Sequence, residues 1–279
     1  MDTRQVSILR TAVIEHALLL AAAFVVLAPF IWMISVSVKP AGEIFGAPLS
    51  LIPHRFAGGE NYATAFNTAP LLRFMLNGLI VVLGILAVQV SVALFAAYAL
   101  AKLEYRGRGL LLALVIIGLC VPVQAPALPL FLALARIRAL DTYFALMMPF
   151  FLSVFAIFLF RQFIKGFPDE IIAAARLDGF TELEIVLRLI LPSAKPAIAA
   201  FAVFSIVAHW NDLFWPLIVV SSLDLSTPPL GILYLSGSEF NASYGPLMAG
   251  AVIITSPLIL IFVLAQRQFV RGITMTGIK

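Results

Sequence analysis

Six long apolar runs divide the chain, at residues 13–38, 71–101, 109–135, 142–164, 196–222 and 245–268. Each is long enough to cross a hydrocarbon core of about 30 Å as a helix of about 20 residues. The runs are continuous rather than alternating, which excludes a β-barrel, and in lipid only helices and closed barrels satisfy the backbone. The pattern predicts an all-α, polytopic membrane protein of about six transmembrane helices, folded as one domain over residues 1–279. Between the fourth and fifth runs, within residues 165–195, lies "DEIIAAARLDGFTELEIVLRLILP", the one long stretch that is both charged and patterned as helix.

That stretch reads as two short helices. Asp169 and Glu170 follow Phe167-Pro168 and place negative charge in a first turn, where the helix dipole favours it. Asp178-Gly179 ends the first helix, because Gly accepts the left-handed conformation that closes a helix. Thr181 and Glu184 have capping-box spacing. Leu183, Val186, Leu187 and Ile190 then fall at i, i+3, i+4 and i+7, predicting one apolar face with Glu182, Glu184 and Arg188 off it, and Leu191-Pro192 predicts the stop. Such a knob suits either a docking partner or the headgroup layer, where it would lie as an amphipathic hairpin.

Composition agrees with the runs. The chain of 279 residues is 62% hydrophobic and 11% charged, with 23 Phe and a mean hydropathy of +1.08, far from soluble domains. No large soluble domain fits beside six spans. With a cytoplasmic N-terminus, Arg4, Arg10, Lys102, Arg106, Arg108, Arg161, Lys165, Arg176, Arg188, Lys195, Arg267, Arg271 and Lys279 fall on the inner side. Only Lys39, Arg55, Arg73, Arg136 and Arg138 fall outside. The positive-inside rule thus predicts cytoplasmic N- and C-termini and a cytoplasmic 165–195 segment, with Arg136 and Arg138 running against it. The net charge of +4 is this asymmetry in sum and calls for no nucleic acid. The first run is longer than a signal-peptide core and is expected to stay as an anchor. Cys120 stands alone in an apolar run and reads as a small buried hydrophobe. His16, His54 and His209 lack metal-ligand spacing, so no metal site is expected.

Two apolar runs are unlike plain anchors. Pro122, Pro126 and Pro129, with Gln124 among them, interrupt the third, as either a pathway element or a packed kink. In the fifth, "HWNDLFWP" places Asn211 and Trp215 one helical turn apart, a hydrogen-bonding group beside an aromatic plane, as would suit a sugar. Asp212 is an acid inside a span, which is a functional-site signal. Trp210, however, lies roughly 22 Å beyond Lys195 at 1.5 Å per residue, near the outer interface where Trp is enriched anyway. Substrate contact by Trp210, Asn211, Asp212, Trp215 and Gln124 therefore stands beside interface anchoring and packing.

With these residues in view, the chain resembles the permease subunits of bacterial ABC importers, in particular the carbohydrate-uptake branch typified by the maltose and glycerol-phosphate permeases. Their hallmark reads roughly E-A-A-x-x-x-G followed further on by I-x-L-P. Here the matching positions are Ala173-Ala174-Ala175-Arg176-Leu177-Asp178-Gly179 and Leu189-Ile190-Leu191-Pro192. "AAYALAKLEYRGR", "VPVQAPALPLF", "HWNDLFWPL" and the end "AQRQFVRGITMTGIK" resemble the family in the family's order. Two positions depart from it: Ala173 stands where the hallmark has Glu, and Asn77-Gly78 where Asn-Ser is usual.

The resemblance implies a non-enzymatic subunit without catalytic residues, forming half of a sugar pathway in the bacterial inner membrane. The implied partners are a second permease, identical or different, a cytoplasmic ATPase dimer that binds ATP and Mg, and an extracytoplasmic solute-binding protein facing segments 39–70 and 223–244. No cofactor is expected on this chain, and it has no G-x-x-x-x-G-K-[ST] phosphate loop. The hallmark segment would be a coupling helix, with Glu170, Ala173, Ala174, Arg176, Asp178, Gly179, Thr181, Leu183 and Leu187 as the docking set and the tail from Arg271 reaching the ATPase. Glu170, one turn before Ala173, would supply the missing acid. The competing classes are a secondary transporter, which should show internal repeats and several intramembrane ionisable groups, and a membrane enzyme, for which no catalytic motif is found.

Overall fold

A computed structural model describes residues 3–46, 50–237 and 244–274, with side chains for 13–46, 50–236 and 244–263. The helices are α1 (Thr3–Ser37), α2 (Ala41–Ile44), α3 (Gly58–Thr68), α4 (Leu71–Lys102), α5 (Arg108–Gly118), α6 (Ala127–Arg136), α7 (Tyr143–Met147) and α8 (Val154–Lys165). They continue with α9 (Asp169–Leu177), α10 (Glu182–Ile185), α11 (Leu191–Ser193), α12 (Lys195–Trp210), α13 (Phe214–Val219), α14 (Pro228–Gly237) and α15 (Tyr244–Thr274). No strand occurs among the described residues. The contacts group the chain into two compact units, Met1–Leu71 with Ile232–Thr255 and Leu72–Gly231 with Ser256–Lys279.

In the first unit α1 exposes Leu18, Leu19, Leu20, Phe24, Val25 and Val26 all round, as a helix does when its surroundings are apolar on every side. Its Ser37 end is tied to the loop after it. Asn61 donates to the carbonyls of Ser37 and Lys39 at 3.0 and 2.8 Å. Lys39 is buried, bonded to the Ser50 carbonyl, with its ammonium 4.9 Å from the Trp32 ring.

The second unit is organised on α4. Its 32 residues at about 1.5 Å each exceed the thickness of a hydrocarbon core, and its buried positions recur at helical spacing through Phe74, Asn77, Val81, Ile85, Gln89, Ala93 and Ala97. One apolar cluster gathers Val81 and Ile85 with Leu134, Leu146, Trp215 and Leu230. Another gathers Ala93, Ala97, Tyr98 and Leu100 with Phe160, Ile164, Ile172, Ile185 and Ile190. Gln89 lies between them on the same face. Its amide donates to the Phe150 carbonyl at 2.8 Å, its oxygen accepts from Ser205 at 2.7 Å, and its nitrogen lies 3.3 Å from His209 Nε2.

Three expected spans are interrupted. The third, read over 109–135, is two helices, α5 and α6, because its prolines leave 119–126 as turns. Cys120 lies in that break and is exposed, not buried. The fourth bends by 48° between a 3₁₀ turn, Met148–Phe150, and α8. The fifth stops at Trp210 and resumes as α13, and α12 is bent by 76° from the helix before it. Among the described residues three helices are long and apolar enough to cross a membrane on their own, or up to five if each bent pair is one span.

Pro192 does not stop its helix. It lacks the N–H that would bond the residue 188 carbonyl, and the ladder widens into a π turn over Val186–Ile190, in which the Leu191 N–H bonds the Val186 carbonyl. The Asn77-Gly78 departure also has a steric reason: a Cβ on Gly78 would lie 2.6 Å from the Pro228 ring.

Gln89→Leu should lower the stability of the purified protein by roughly 1–2 kcal/mol, since it leaves the Phe150 carbonyl and the Ser205 hydroxyl without a partner. Thermal unfolding in detergent reads this, and an unchanged midpoint would show the junction to be dispensable.

Candidate functional site

The 165–195 segment folds back onto the end of α4. Helix α9 buries Ile172 and Ala175, three residues apart, and exposes Glu170, Ile171, Ala173, Ala174, Leu177 and Asp178. Gly179 has φ +84°, a conformation in which a side chain is strained, and so turns the chain between α9 and α10. Thr181 and Glu184 form the expected capping box. The π turn redistributes the apolar residues: Ile185, Val186 and Ile190 are buried, while Leu183 and Leu187 are exposed. The single face read from Leu183, Val186, Leu187 and Ile190 is therefore divided, with Val186 and Ile190 turned into the core and Leu183 and Leu187 out of it. Leu177, at 89% relative exposure, joins Leu183 and Leu187 as apolar surface on the helix pair.

Charged groups lock this knob internally and to α4. Arg176 bonds both carboxylate oxygens of Glu182, at 2.8 and 3.2 Å, so its guanidinium serves the turn. The same carboxylate accepts the hydroxyl of buried Tyr98 on α4 at 2.5 Å. Lys102 donates to the Asp169 carboxylate and to the Phe167 carbonyl, both at 2.6 Å. Arg161 of α8 donates to the Leu100 carbonyl at 3.2 Å. Glu170 and Asp178 have no ion pair among the described residues.

The expected pathway residues are not brought together. Residues 211–213 break the helix, so Asn211 and Trp215 do not share a helical face. Asn211 is exposed and returns its amide to the Val207 carbonyl at 2.8 Å. Asp212 accepts the Trp215 backbone N–H at 3.3 Å and so caps the start of α13. Trp210 and Trp215 are buried, and the Trp215 indole donates to the Ala145 carbonyl at 2.8 Å. Gln124 is exposed in the proline-rich break.

Sequence reasoning passed over the residues of α4 that meet these breaks. Asn77 donates to the Asp224 and Ser226 carbonyls, each at 2.9 Å, and accepts the Tyr143 hydroxyl at 2.6 Å. Gln89, Tyr98 and Lys102 do the equivalent work further along. The available signal was a set of polar residues inside an apolar run. On the opposite end from the knob, Asp141 closes the 137–142 loop. Its N–H donates to the Val219 carbonyl at 2.9 Å, and its carboxylate accepts the amides of Ser221 and Ser222 and the Ser222 hydroxyl at 3.0–3.2 Å. Partial burial pushes this carboxyl upward, but the bonds from Ser222 and Ser221 outweigh it and hold it below the usual aspartate range. The tail residues 275–279 and loop residues 238–243 lie outside the described residues.

Similarity to known proteins runs along nearly the whole chain. Residues 89–275 match the model of the family described as "Binding-protein-dependent transport system inner membrane component". The arabinooligosaccharides transport system permease protein AraQ of Bacillus subtilis is 31% identical over 277 residues, covering 99% of this chain and 98% of that protein. The diacetylchitobiose uptake system permease protein NgcG of Streptomyces coelicolor is 32% identical over 269 residues, covering 95% and 88%. The sn-glycerol-3-phosphate transport system permease protein UgpE of Pectobacterium atrosepticum is 31% identical over 267 residues, covering 94% and 95%. Among solved structures, a chain of a bacterial ABC transporter involved in the import of the acidic polysaccharide alginate superimposes with a TM-score of 0.82 at 22% identity. It covers 96% of this chain and 98% of that one.

The lowered Asp141 value fixes the sign of a pH effect. The stability it contributes is present above the unfolded carboxyl value and is lost as pH falls through the lower folded one. Acidification should therefore destabilise the parent more than Asp141→Asn, so the gap in unfolding temperature between them narrows at low pH. A gap that stays constant would show that Asp141 does not carry the effect.

Proposed function

Because the chain belongs to the family of binding-protein-dependent transport system inner membrane components, a family of transport subunits rather than enzymes, we propose that it forms half of the pathway of a sugar importer. Its partners are a second permease subunit, an ATPase dimer that binds ATP and Mg, and an extracytoplasmic solute-binding protein. The substrate class is drawn from the named relatives, whose cargoes are arabinooligosaccharides, diacetylchitobiose and glycerol phosphate. Its place is the bacterial inner membrane, with both termini and the 165–195 knob in the cytoplasm. In support, the contacts of the second unit alternate as that topology requires: Asp141 with Ser221 and Arg73 with Asp224 at one end, Lys102 with Asp169 and Tyr98 with Glu182 at the other.

The observation that carries the coupling role is a knob exposing Leu177, Leu183 and Leu187 while bonded to α4 through Glu182 and Asp169. Ala173, Ala174 and Asp178 complete the exposed surface, with Gly179 and Thr181 setting its turn. Glu170 is exposed without an ion pair among the described residues, one turn from Ala173, and supplies the acid that the hallmark has at the later position. In the pathway, Asn211 and Gln124 remain as exposed polar groups; Trp210, Asp212 and Trp215 hold the broken helix in place.

Orientation is tested with Leu177→Cys in a Cys120→Ser background: a membrane-impermeant thiol reagent should label it only after cells are opened, and labelling of intact cells would reverse the topology. Coupling is tested with Glu170→Ala in the assembled complex. Transport per ATP hydrolysed should drop, and Glu170→Ala combined with Ala173→Glu should recover it. Unchanged transport-coupled ATPase activity in Glu170→Ala would assign docking to the apolar surface alone.

A further inference from the structure

Of Lys39, Arg55, Arg73, Arg136 and Arg138, the cations that the proposed orientation puts outside, the first three are matched within the chain. Lys39 is buried and bonded to the Ser50 carbonyl. Arg55 pairs with Glu60 at 3.1 Å and Arg73 with Asp224 at 2.8 Å. Arg136 and Arg138 are exposed and have no ion pair among the described residues. Ile137 between them is 66% exposed. The acids at this end of the second unit are engaged elsewhere: Asp141 takes the Ser221 and Ser222 donors, Asp212 the Trp215 amide and Asp224 the Arg73 guanidinium.

Arg136 ends α6, where the helix dipole favours a cation in any case. Arg138 has no such reason. Its φ is +55°, and it stands just past α6 at the position where Gly is the usual residue. There its N–H donates to the Ala135 carbonyl at 3.1 Å and that of Ala139 to the Leu134 carbonyl at 2.9 Å, the pair of bonds that closes a helix through a left-handed residue. A side chain at such a position is strained. Asp141, with φ +56°, is the other non-glycine residue of this kind among the described residues, and it lies in the same loop. Its bonds to Val219, Ser221 and Ser222 fasten the loop, and the Thr142 hydroxyl donates to the Ala139 carbonyl at 2.6 Å. The backbone would close with less strain around glycine, yet it presents a free guanidinium from a fixed place.

We propose that Arg136, Ile137 and Arg138 form a docking point for the solute-binding protein, the two arginines meeting carboxylates on its surface on either side of the Ile137 contact. The site rests on the importer reading and on the orientation proposed with it. A binding protein is the partner for which the family is described, and it meets a permease from outside. A fastened backbone sets the spacing of two guanidiniums, which serves carboxylates held on a folded protein and not fluid headgroups. Attraction of clustered cations to anionic lipid, moreover, belongs to the cytoplasmic leaflet, and these two arginines stand against the positive-inside rule.

The importer, assembled from this chain, the second permease and the ATPase dimer in phosphatidylcholine nanodiscs, is titrated with its solute-binding protein while ATP hydrolysis is followed. Arg136→Gln with Arg138→Gly should raise the half-saturating concentration of binding protein by about five-fold for each arginine, rather than lower the rate reached at saturation. Added salt should close the gap between parent and variant. The unfolding midpoint of Arg138→Gly should hold or rise, since glycine relieves the left-handed residue; a lower midpoint with unchanged half-saturation would make Arg138 a structural residue and overturn the site. An unchanged half-saturating concentration in the double variant would overturn it as well. So would a defect that appears only when phosphatidylglycerol replaces phosphatidylcholine, which would give the arginines to lipid, or a double variant that no longer pairs with the second permease. A parent whose hydrolysis ignores the binding protein would instead fail the importer reading, and the docking point with it.

Discussion

A polypeptide in hydrocarbon must satisfy every backbone polar group from within, and a broken helix frees carbonyls with no water to take them. The second unit breaks its helices repeatedly and meets the freed groups from one continuous element. Asn77 covers the carbonyls of Asp224 and Ser226, Gln89 that of Phe150, and Lys102 that of Phe167. Asn77 near the start of α4 and Lys102 at its end meet carbonyls of the connections between spans, and Gln89 in its middle meets one inside a span. The helix is long and unbroken because it is the member on which the interrupted ones are hung.

The same arrangement explains why the knob is stiff. Ile172, Ala175, Ile185, Val186 and Ile190 pack in one buried cluster with Ala97, Tyr98 and Leu100, and a close-packed interior transmits displacement with little give. Around that cluster the polar links from Tyr98 to Glu182 and from Lys102 to Asp169 fix the angle. The π turn extends the stiffness toward α12. A proline that would otherwise end a helix is absorbed by widening one turn, so the chain passes from knob to membrane through a bend of 76° without a loop. Under the proposed coupling role, a push on α9 would move α4 and α12 as bodies rather than deform the knob.

Sequence alone reveals whatever depends on neighbours along the chain. The apolar runs, the capping box at Thr181 and Glu184 and the Gly179 turn are local, and their chemistry is written in consecutive residues. The face of the second knob helix departs from its sequence pattern because Ile185, Val186 and Ile190 pack against α4 in the tertiary cluster, a choice among the apolar residues that periodicity alone does not make, and a π turn besides changes the period within five residues. Asn211 and Trp215 share a face only if the helix is unbroken, although Asp212 between them carries the helix-capping chemistry that starts a new one. The roles of Asn77 and Gln89 depend on residues 147–149 and 61 positions away, respectively. Their polarity is visible in the runs; their partners are not.

The breaks also differ in kind, and the difference comes from which donors reach them. The breaks at Phe150 and Phe167 are met by α4 side chains and are fixed to it. The proline-rich stretch 119–126 closes on itself through turn bonds, Ala125 to the Pro122 carbonyl at 3.0 Å and Ala127 to that of Gln124 at 3.1 Å, and its residues 121–126 are exposed. A segment satisfied by its own turns can change course without stranding a donor elsewhere, whereas one satisfied by α4 cannot. Rigidity in this unit is therefore distributed by hydrogen-bond ownership: Pro122 and Pro126 sit where the chain owns its bonds locally, whereas Pro149 and Pro168 sit at the breaks that α4 holds.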